Sequence, residues 1–322
     1  MYASVDAWLR RCRLSVALIF CLASFFVVSP VSAVPTLEAS VAVRYTADNP
    51  LIVNHVANLN QYLSTREKYF MAVLTLALEH SGVPFKLNPV ELLRHSEPRG
   101  VRFLYHGKFD VHWLNTTKEL EDVLLPIRIP LFKGLIGWRV LLIREADMER
   151  YAAIDSIDEL KQLVGLQGLG WPDTDILLKN GFEVVTATDF FTMSRMLAYS
   201  RGDFFPRGVT EIWGELEAYS NPTLTVEQSI ALVYPAAYYF FVQKGNTVLH
   251  GIIKGGLQAA VDDGSFDALF MTYFGERIAR SQLHKRTIFH LDNPYLPPLT
   301  PLEQKRYWLS LDSILSDRAV DE

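Results

Sequence analysis

Cysteine is almost missing from this chain: of 322 residues only Cys12 and Cys21 carry a thiol, and both lie within the first 33. The remainder can form neither an internal disulfide nor a thiolate metal site. Long apolar runs are scarce as well. One extends from Leu14 to Val28, and no later stretch is long enough to span a bilayer. Clustered cationic charge is lacking too. The chain holds 31 Lys and Arg against 36 Asp and Glu; without the first 33 residues, which carry three Arg and one Asp, the balance is 28 against 35, a net charge near −7. An acidic chain without a basic stripe is a poor partner for nucleic acid. The histidines show no His-Glu-x-x-His spacing, which leaves no metal signature, and there is no Gly-x-Ser-x-Gly elbow for a catalytic serine. Nothing in the sequence implies a cofactor.

Arg10, Arg11 and Arg13 precede the apolar run, which closes on Val31-Ser32-Ala33. A basic segment, an apolar core and a small-x-small ending describe a secretory signal over residues 1–33, cut after Ala33, and hence an exported, periplasmic product. An uncleaved anchor is the alternative, and bulky Phe20 before Cys21 argues against lipoprotein processing. The remaining 289 residues, in a chain that is 49% hydrophobic, suffice for one large or two medium cores.

Residues 39–45 alternate and read as a first strand that ends at Tyr45. A helix with a dense apolar face covers 69–78 and stops at Ser81-Gly82, and 83–87 is a second strand. A short helix over 97–105, a turn at Gly107 and a strand over 109–114 follow. Strands and helices in alternation predict a mainly parallel sheet with helices on both faces. Pro126 and Pro130 then mark an extended connector between two lobes, because neither can donate a backbone hydrogen bond. A fresh strand over 137–144 opens a second alternating unit. Further on, 237–242 is a strand, 247–261 a helix, and 266–274 a short helix closed by Gly275. The tail after Asp292 is too rich in proline to be regular and is expected to wrap one lobe.

The second unit contains the stretch around which function is best sought. Ser156 caps a short helix, 164–167 is an apolar strand, and Gly168-Leu169-Gly170-Trp171-Pro172-Asp173-Thr174 turns into another helix that Asn180-Gly181 ends. A strand, a glycine turn and a helix start place unpaired N–H groups where an anion can sit. The glycines are in the wrong order for a dinucleotide fingerprint.

Four segments resemble the type II periplasmic solute-binding proteins, the extracellular family whose amino-acid receptors serve ABC transporters. They are Tyr105-His106-Gly107-Lys108-Phe109-Asp110-Val111; Ser156-Ile157-Asp158-Glu159-Leu160 before Val164-Gly165-Leu166-Gln167-Gly168; Arg201-Gly202-Asp203-Phe204-Phe205; and Val242-Gln243-Lys244-Gly245-Asn246 with Asp263-Gly264-Ser265-Phe266-Asp267 and Tyr273-Phe274-Gly275. The resemblance spans roughly residues 39 to 276. It implies a two-lobed α/β fold of periplasmic-binding-protein type with two crossovers and an interlobe cleft that closes by a hinge over one solute. Lobe one would take residues 34–129 and 245–292, lobe two 130–244, and the proline-rich tail 293–322. One departure stands out. The family's amino-acid receptors carry a carboxylate-binding Arg shortly before the first crossover, and that position falls near Glu121 here, so either Arg128 or Arg207 takes the anionic contact or the solute is not a free α-amino acid.

The candidate ligand residues are Trp171, Asp173, Thr174 and Arg207 from lobe two, Tyr45, Trp113 and Asn115 from lobe one, and Arg128 at the crossover. Six of the eight also have a plainer reading. Asp173 serves equally as a helix cap, Trp171 and Tyr45 as packing, Asn115 with Thr116 and Thr117 as a cap, Arg207 as the partner of Glu211, and Arg128 as half of an ion pair that fixes the hinge. The expected function is capture of a small polar, anionic or zwitterionic solute by a monomer that delivers it to a membrane permease. A sensory role with a membrane kinase uses the same closure. An enzyme on this scaffold, a dehydratase or lyase, needs an acid/base pair, for which only Asp173 and Glu211 are candidates, so no catalytic residue is assigned.

Overall fold

The computed structural model describes residues 45–57, 65–91, 97–219 and 221–310. The expected export signal, Cys12, Cys21 and the expected first strand up to residue 44 lie outside the described residues. Lobe one begins with β1 (Leu51–Ala57), α1 (Thr65–His80), β2 (Phe85–Glu91), α2 (Glu97–Tyr105), β3 (His112–Asn115), α3 (Lys118–Val123) and β4 (Leu124–Ile127). Lobe two follows with β5 (Trp138–Arg144), α4 (Met148–Ala152), α5 (Ile157–Leu160), β6 (Val164–Gly168), α6 (Pro172–Lys179), β7 (Glu183–Ala187), α7 (Phe190–Ala198), β8 (Phe205–Gly208), α8 (Ile212–Ala218) and β9 (Leu224–Val233). The chain returns to lobe one for β10 (Tyr238–Gln243), α9 (Thr247–Asp262) and α10 (Ser265–Ser281), then re-enters lobe two as β11 (Thr287–His290).

In lobe one, β1 and β2 are parallel, β10 runs antiparallel between β3 and β4, and a bridge from His55 to Val111 joins the two parts. In lobe two, β5 lies antiparallel between β8 and β9, β11 extends β9, and a bridge from Gly165 to Phe204 adds the β6–β7 pair. The central strands β5 and β10 are buried on both faces, which is why they read as mainly apolar runs, broken in β5 by Arg139, whereas the edge strands β2 and β7 alternate. Pro89 falls in β2, at the sheet edge where its missing donor is harmless.

Helix α1 buries Tyr69, Phe70, Val73, Leu74, Ala77 and Leu78, a stripe at helical spacing. It lies so close to α9 that a Cβ on Gly256 would come within 1.7 Å of the Ala77 carbonyl oxygen. The described part of lobe one opens with β1 at 51–57, past the expected stop at residues 47–50, and helix α10 runs six residues beyond Gly275. The stripe Phe266, Phe270, Phe274, Ile278 carries on through the glycine, and its burial outweighs the roughly 1 kcal/mol that a helical glycine costs.

Both crossovers are present, at residues 128–137 between β4 and β5 and at 234–237 between β9 and β10. The strand pairing corrects the expected lobe boundaries in two places. Residues 238–243, expected in lobe two, belong to the sheet of lobe one, and 287–290, expected in lobe one, extend the sheet of lobe two. The tail, expected on one lobe, contacts both once it is counted from Asp292, which bonds Asn180 of lobe two. Among the described residues no helix is long and apolar enough to cross a membrane.

Candidate functional site

A cleft of about 700 Å³ separates the lobes. Lobe one supplies Arg66 from the first turn of α1, Asn115 from the end of β3, and Thr117 and Glu119 beside it; the crossovers supply Ile136, Tyr234 and Ala236, and Tyr238 opens β10. Lobe two supplies Arg139, Trp171, Asp173, Asp175, Phe190, Arg207, Glu211 and Glu215, and the tail adds Asn293 and Tyr295.

The glycine turn after β6 builds one wall. Gly170 has φ +76°, and at Gly168 an added Cβ would lie 2.1 Å from the Trp171 ring, so only glycine lets that indole fold back over the turn. Helix α6 starts at Pro172 with no side-chain cap, which leaves Asp173 free for other work. Its carboxylate receives Arg139 Nη2 at 2.6 Å and the Tyr234 hydroxyl, while Arg139 Nε donates to the Tyr234 oxygen at 2.8 Å. The three groups form a closed ring of charge-assisted hydrogen bonds that ties α6, β5 and the second crossover together. Thr174 faces inward, where its hydroxyl donates to the Gly168 carbonyl at 2.7 Å.

Arg207, in β8, is only 6% exposed at its side chain. Its Nε donates to Glu215 Oε2 at 2.7 Å, its Nη2 reaches Glu215 Oε1, and Nη2 lies 3.2 Å from Glu211 Oε2. The guanidinium also packs over the rings of Phe205, Trp171 and Phe190 at 5.0, 5.1 and 5.7 Å from their centroids. Burial opposes ionisation of Glu211, but the guanidinium groups of Arg207, Arg139 and Arg66 and the Gly208 amide overcome it and hold its carboxyl below the ordinary glutamate range. The guanidinium expected to meet a solute anion thus already holds two of the chain's own carboxylates.

Four of the eight sequence candidates come together at the cleft: Asn115, Trp171, Asp173 and Arg207. The other four lie elsewhere. Trp113 is buried and stacks on Phe70 at 5.1 Å, Tyr45 packs against the hydrophobic core, and Thr174 turns into the α6 turn. Arg128 pairs with Glu121, whose carboxylate is only 9% exposed and also accepts the Thr116 hydroxyl at 2.8 Å. The ion pair at the hinge is therefore present, and the acid at the family's arginine position is fully engaged. Thr117 caps α3, accepting from the Leu120 amide at 3.2 Å. Sequence reasoning missed Arg66, Arg139, Tyr234, Tyr238, Glu215, Asn293 and Tyr295. Arg139 had a signal, a lone charge inside an apolar strand, which is buried only when it is paired.

Two lobes, two crossovers and a polar cleft between them define a two-lobed scaffold joined at the crossovers. No family model matches the sequence, and no curated protein matches it. Solved structures do. The probable amino-acid ABC transporter extracellular-binding protein of Bacillus subtilis superposes with a TM-score of 0.53 at 16% identity, over 70% of this chain and 99% of that one. The YckB protein of Bacillus subtilis gives 0.50 at 14% identity, over 76% and 98%. The chain has the two-lobed periplasmic-binding-protein fold of type II.

Proposed function

We propose that this protein is an exported receptor that closes its lobes over one small polar solute and delivers it to a membrane permease. The observation that carries this reading is the cleft itself, a cavity of solute size lined from both lobes and both crossovers. Its charge narrows the solute. Arg66, Arg139 and Arg207 face Glu119, Asp173, Asp175, Glu211 and Glu215, three cations against five acids. Arg139 and Arg207 are neutralised internally, so a simple anion meets little free positive charge, whereas a zwitterion offers its cationic end to the acids and its anionic end to Arg66. Trp171, Tyr234, Tyr238 and Tyr295 give apolar faces that exclude water and attract a cation.

An enzymatic role has little support in this geometry. Asp173 and Glu211, the acid pair such chemistry would use, both sit within 4 Å of Arg139 and are engaged with it as ion-pair partners. A thermal-shift screen of amino acids, organic acids and polyamines tests the proposal. A saturating solute at about 100 times its dissociation constant stabilises by roughly 2.7 kcal/mol. A panel that includes zwitterions and moves the melting temperature nowhere removes solute capture.

A further inference from the structure

After β11 Leu291 still belongs to lobe two, with its side chain buried and its amide donating to the Val233 carbonyl at 2.8 Å, and the residues that follow are fastened there by a few side-chain bonds. Asn180 binds Asp292 in both directions: its Nδ2 donates to the Asp292 carbonyl at 2.8 Å, and its Oδ1 accepts from the Asp292 amide at 2.9 Å. Asn293 Nδ2 then donates to the Pro235 carbonyl in the second crossover at 2.9 Å, and Lys118 Nζ, in lobe one, reaches the Pro294 carbonyl at 3.3 Å. The rest of the tail lies on lobe one and on the first crossover. The Tyr307 hydroxyl donates to Gln258 Oε1 at 2.5 Å, the Leu309 amide to the Lys133 carbonyl at 2.7 Å, and Lys133 Nζ to the Arg306 carbonyl at 3.0 Å. The Trp308 indole covers Gly134, which has φ +76° and where a Cβ would come within 2.5 Å of the ring.

Hinge motion concentrates its backbone rotation in a few residues at the crossovers. A segment bonded to both crossovers must move with them or break its bonds. We propose that residues 292–310 form a clasp over the two hinges that sets the resting angle between the lobes and restrains their opening. The two ends of the clasp differ in strength. The lobe-one end buries Tyr307 and Leu309, whereas the Asn180–Asp292 bonds are exposed to water, where a hydrogen bond is worth less. The clasp therefore stays with lobe one and lets go at Asn180 and Pro235 when the lobes part. This restraint lies beyond solute capture and is tested without any solute.

Cys12→Ser and Cys21→Ser leave the chain without native thiols. Glu79→Cys on α1 and Glu183→Cys on β7, both exposed positions, then accept one nitroxide each, one per lobe. Pulsed electron paramagnetic resonance on the ligand-free protein gives the distribution of interlobe distances. Asn180→Ala combined with Asn293→Ala is expected to lengthen and broaden that distribution, and Trp308→Ala, which loosens the other end, to shift it the same way. Should Trp308→Ala fail to fold, the asparagine pair still decides, since neither side chain belongs to the core. Distributions that superimpose on the parent in asparagine variants with unchanged circular dichroism overturn the clasp. A shifted distribution in a protein that binds nothing in the solute screen would leave the clasp standing and remove the receptor.

Discussion

Replacing Arg207 with alanine separates an arginine that holds the fold from one kept ready for a solute. Removing one partner of a buried ion pair costs about 3–5 kcal/mol, because the remaining charge is stranded. Here the stranded carboxylates of Glu215 and Glu211 are 23% and 30% exposed, so water reaches them and about 2–3 kcal/mol of that penalty remains. Loss of the guanidinium from the faces of Phe205, Trp171 and Phe190 adds about 1 kcal/mol. The expected destabilisation is about 3–4 kcal/mol, which for a chain of this size lowers the melting temperature by roughly 6–16 °C. Urea unfolding followed by tryptophan fluorescence reads it, provided the slope of the transition is unchanged. A cycle of Arg207→Met and Glu215→Gln should show a coupling of about 1.5–3 kcal/mol between the two side chains. The opposite sign is the informative refutation. An arginine held in strain for a solute is removed with a gain in stability, so an unchanged or raised midpoint would mean that Arg207 is not committed to these acids.

Two adjacent glycines in α9 should respond in opposite directions. Gly255→Ala meets nothing within 4 Å and should stabilise by about 0.5–1 kcal/mol, while Gly256→Ala drives a Cβ into the Ala77 carbonyl and should destabilise by about 1–3 kcal/mol; equal effects in urea melts would contradict the close α1–α9 contact. Acidification should weaken the fold. Burial lowers the pKa of His55 and of His250 below 6.5, against the opposing pull of the Val56 and Pro126 carbonyls. Below 6.5 the unfolded chain therefore binds more protons than the folded one. The stability these neutral imidazoles contribute is complete above pH 6.5 and is lost as pH falls through that value toward their folded pKa. Glu211, also depressed, adds a loss in the same direction below the ordinary glutamate range. Calorimetry across pH 8 to 5 should show a falling melting temperature, flattened in a His55→Gln, His250→Gln variant.

What was legible in the sequence follows from the range of the interaction. The boundaries of α2, the Ser156 cap and the stop of α6 at Asn180-Gly181 are set within a few residues, and the structure agrees with the sequence pattern at each. Helix α10 outruns the stop expected at Gly275 because its continuation depends on Phe274 and Ile278 meeting a core that the local pattern does not reveal. The site divided in the same way. Trp171 follows from its own turn, whereas Trp113 lies inside β3, two residues before its end, and has its ring drawn onto Phe70, in another element. Strand ends say where a cleft lies and not which side of the strand faces it. The arginines show the limit most clearly. Arg207 and Arg128 look alike as sequence, each a lone cation near a strand end, and only the pairing partners Glu215 and Glu121 decide what charge each leaves for a ligand.

Those partners also redirect the search for the anion contact. With Arg128 held by Glu121, Arg207 by Glu215 and Arg139 by Asp173, the cleft cation that makes no ion pair within 4.0 Å among the described residues is Arg66. It is exposed, so its removal releases no buried partner and should change stability by less than about 0.5 kcal/mol. In the receptor reading it meets the anionic end of the solute, and a charge-assisted hydrogen bond is worth about 1.5–3 kcal/mol, so Arg66→Ala should weaken binding of a zwitterion some 10- to 150-fold. Calorimetric titration of Arg66→Ala and of the parent, with the zwitterion that gives the largest thermal shift, measures that ratio directly. Full affinity in Arg66→Ala would return the anion contact to the paired arginines, and it would require solute binding to break an internal ion pair. That exchange leaves its own signature, because a displaced Glu215 or Asp173 must then find a new cation or a proton, and the affinity would depend on pH in the carboxylate range.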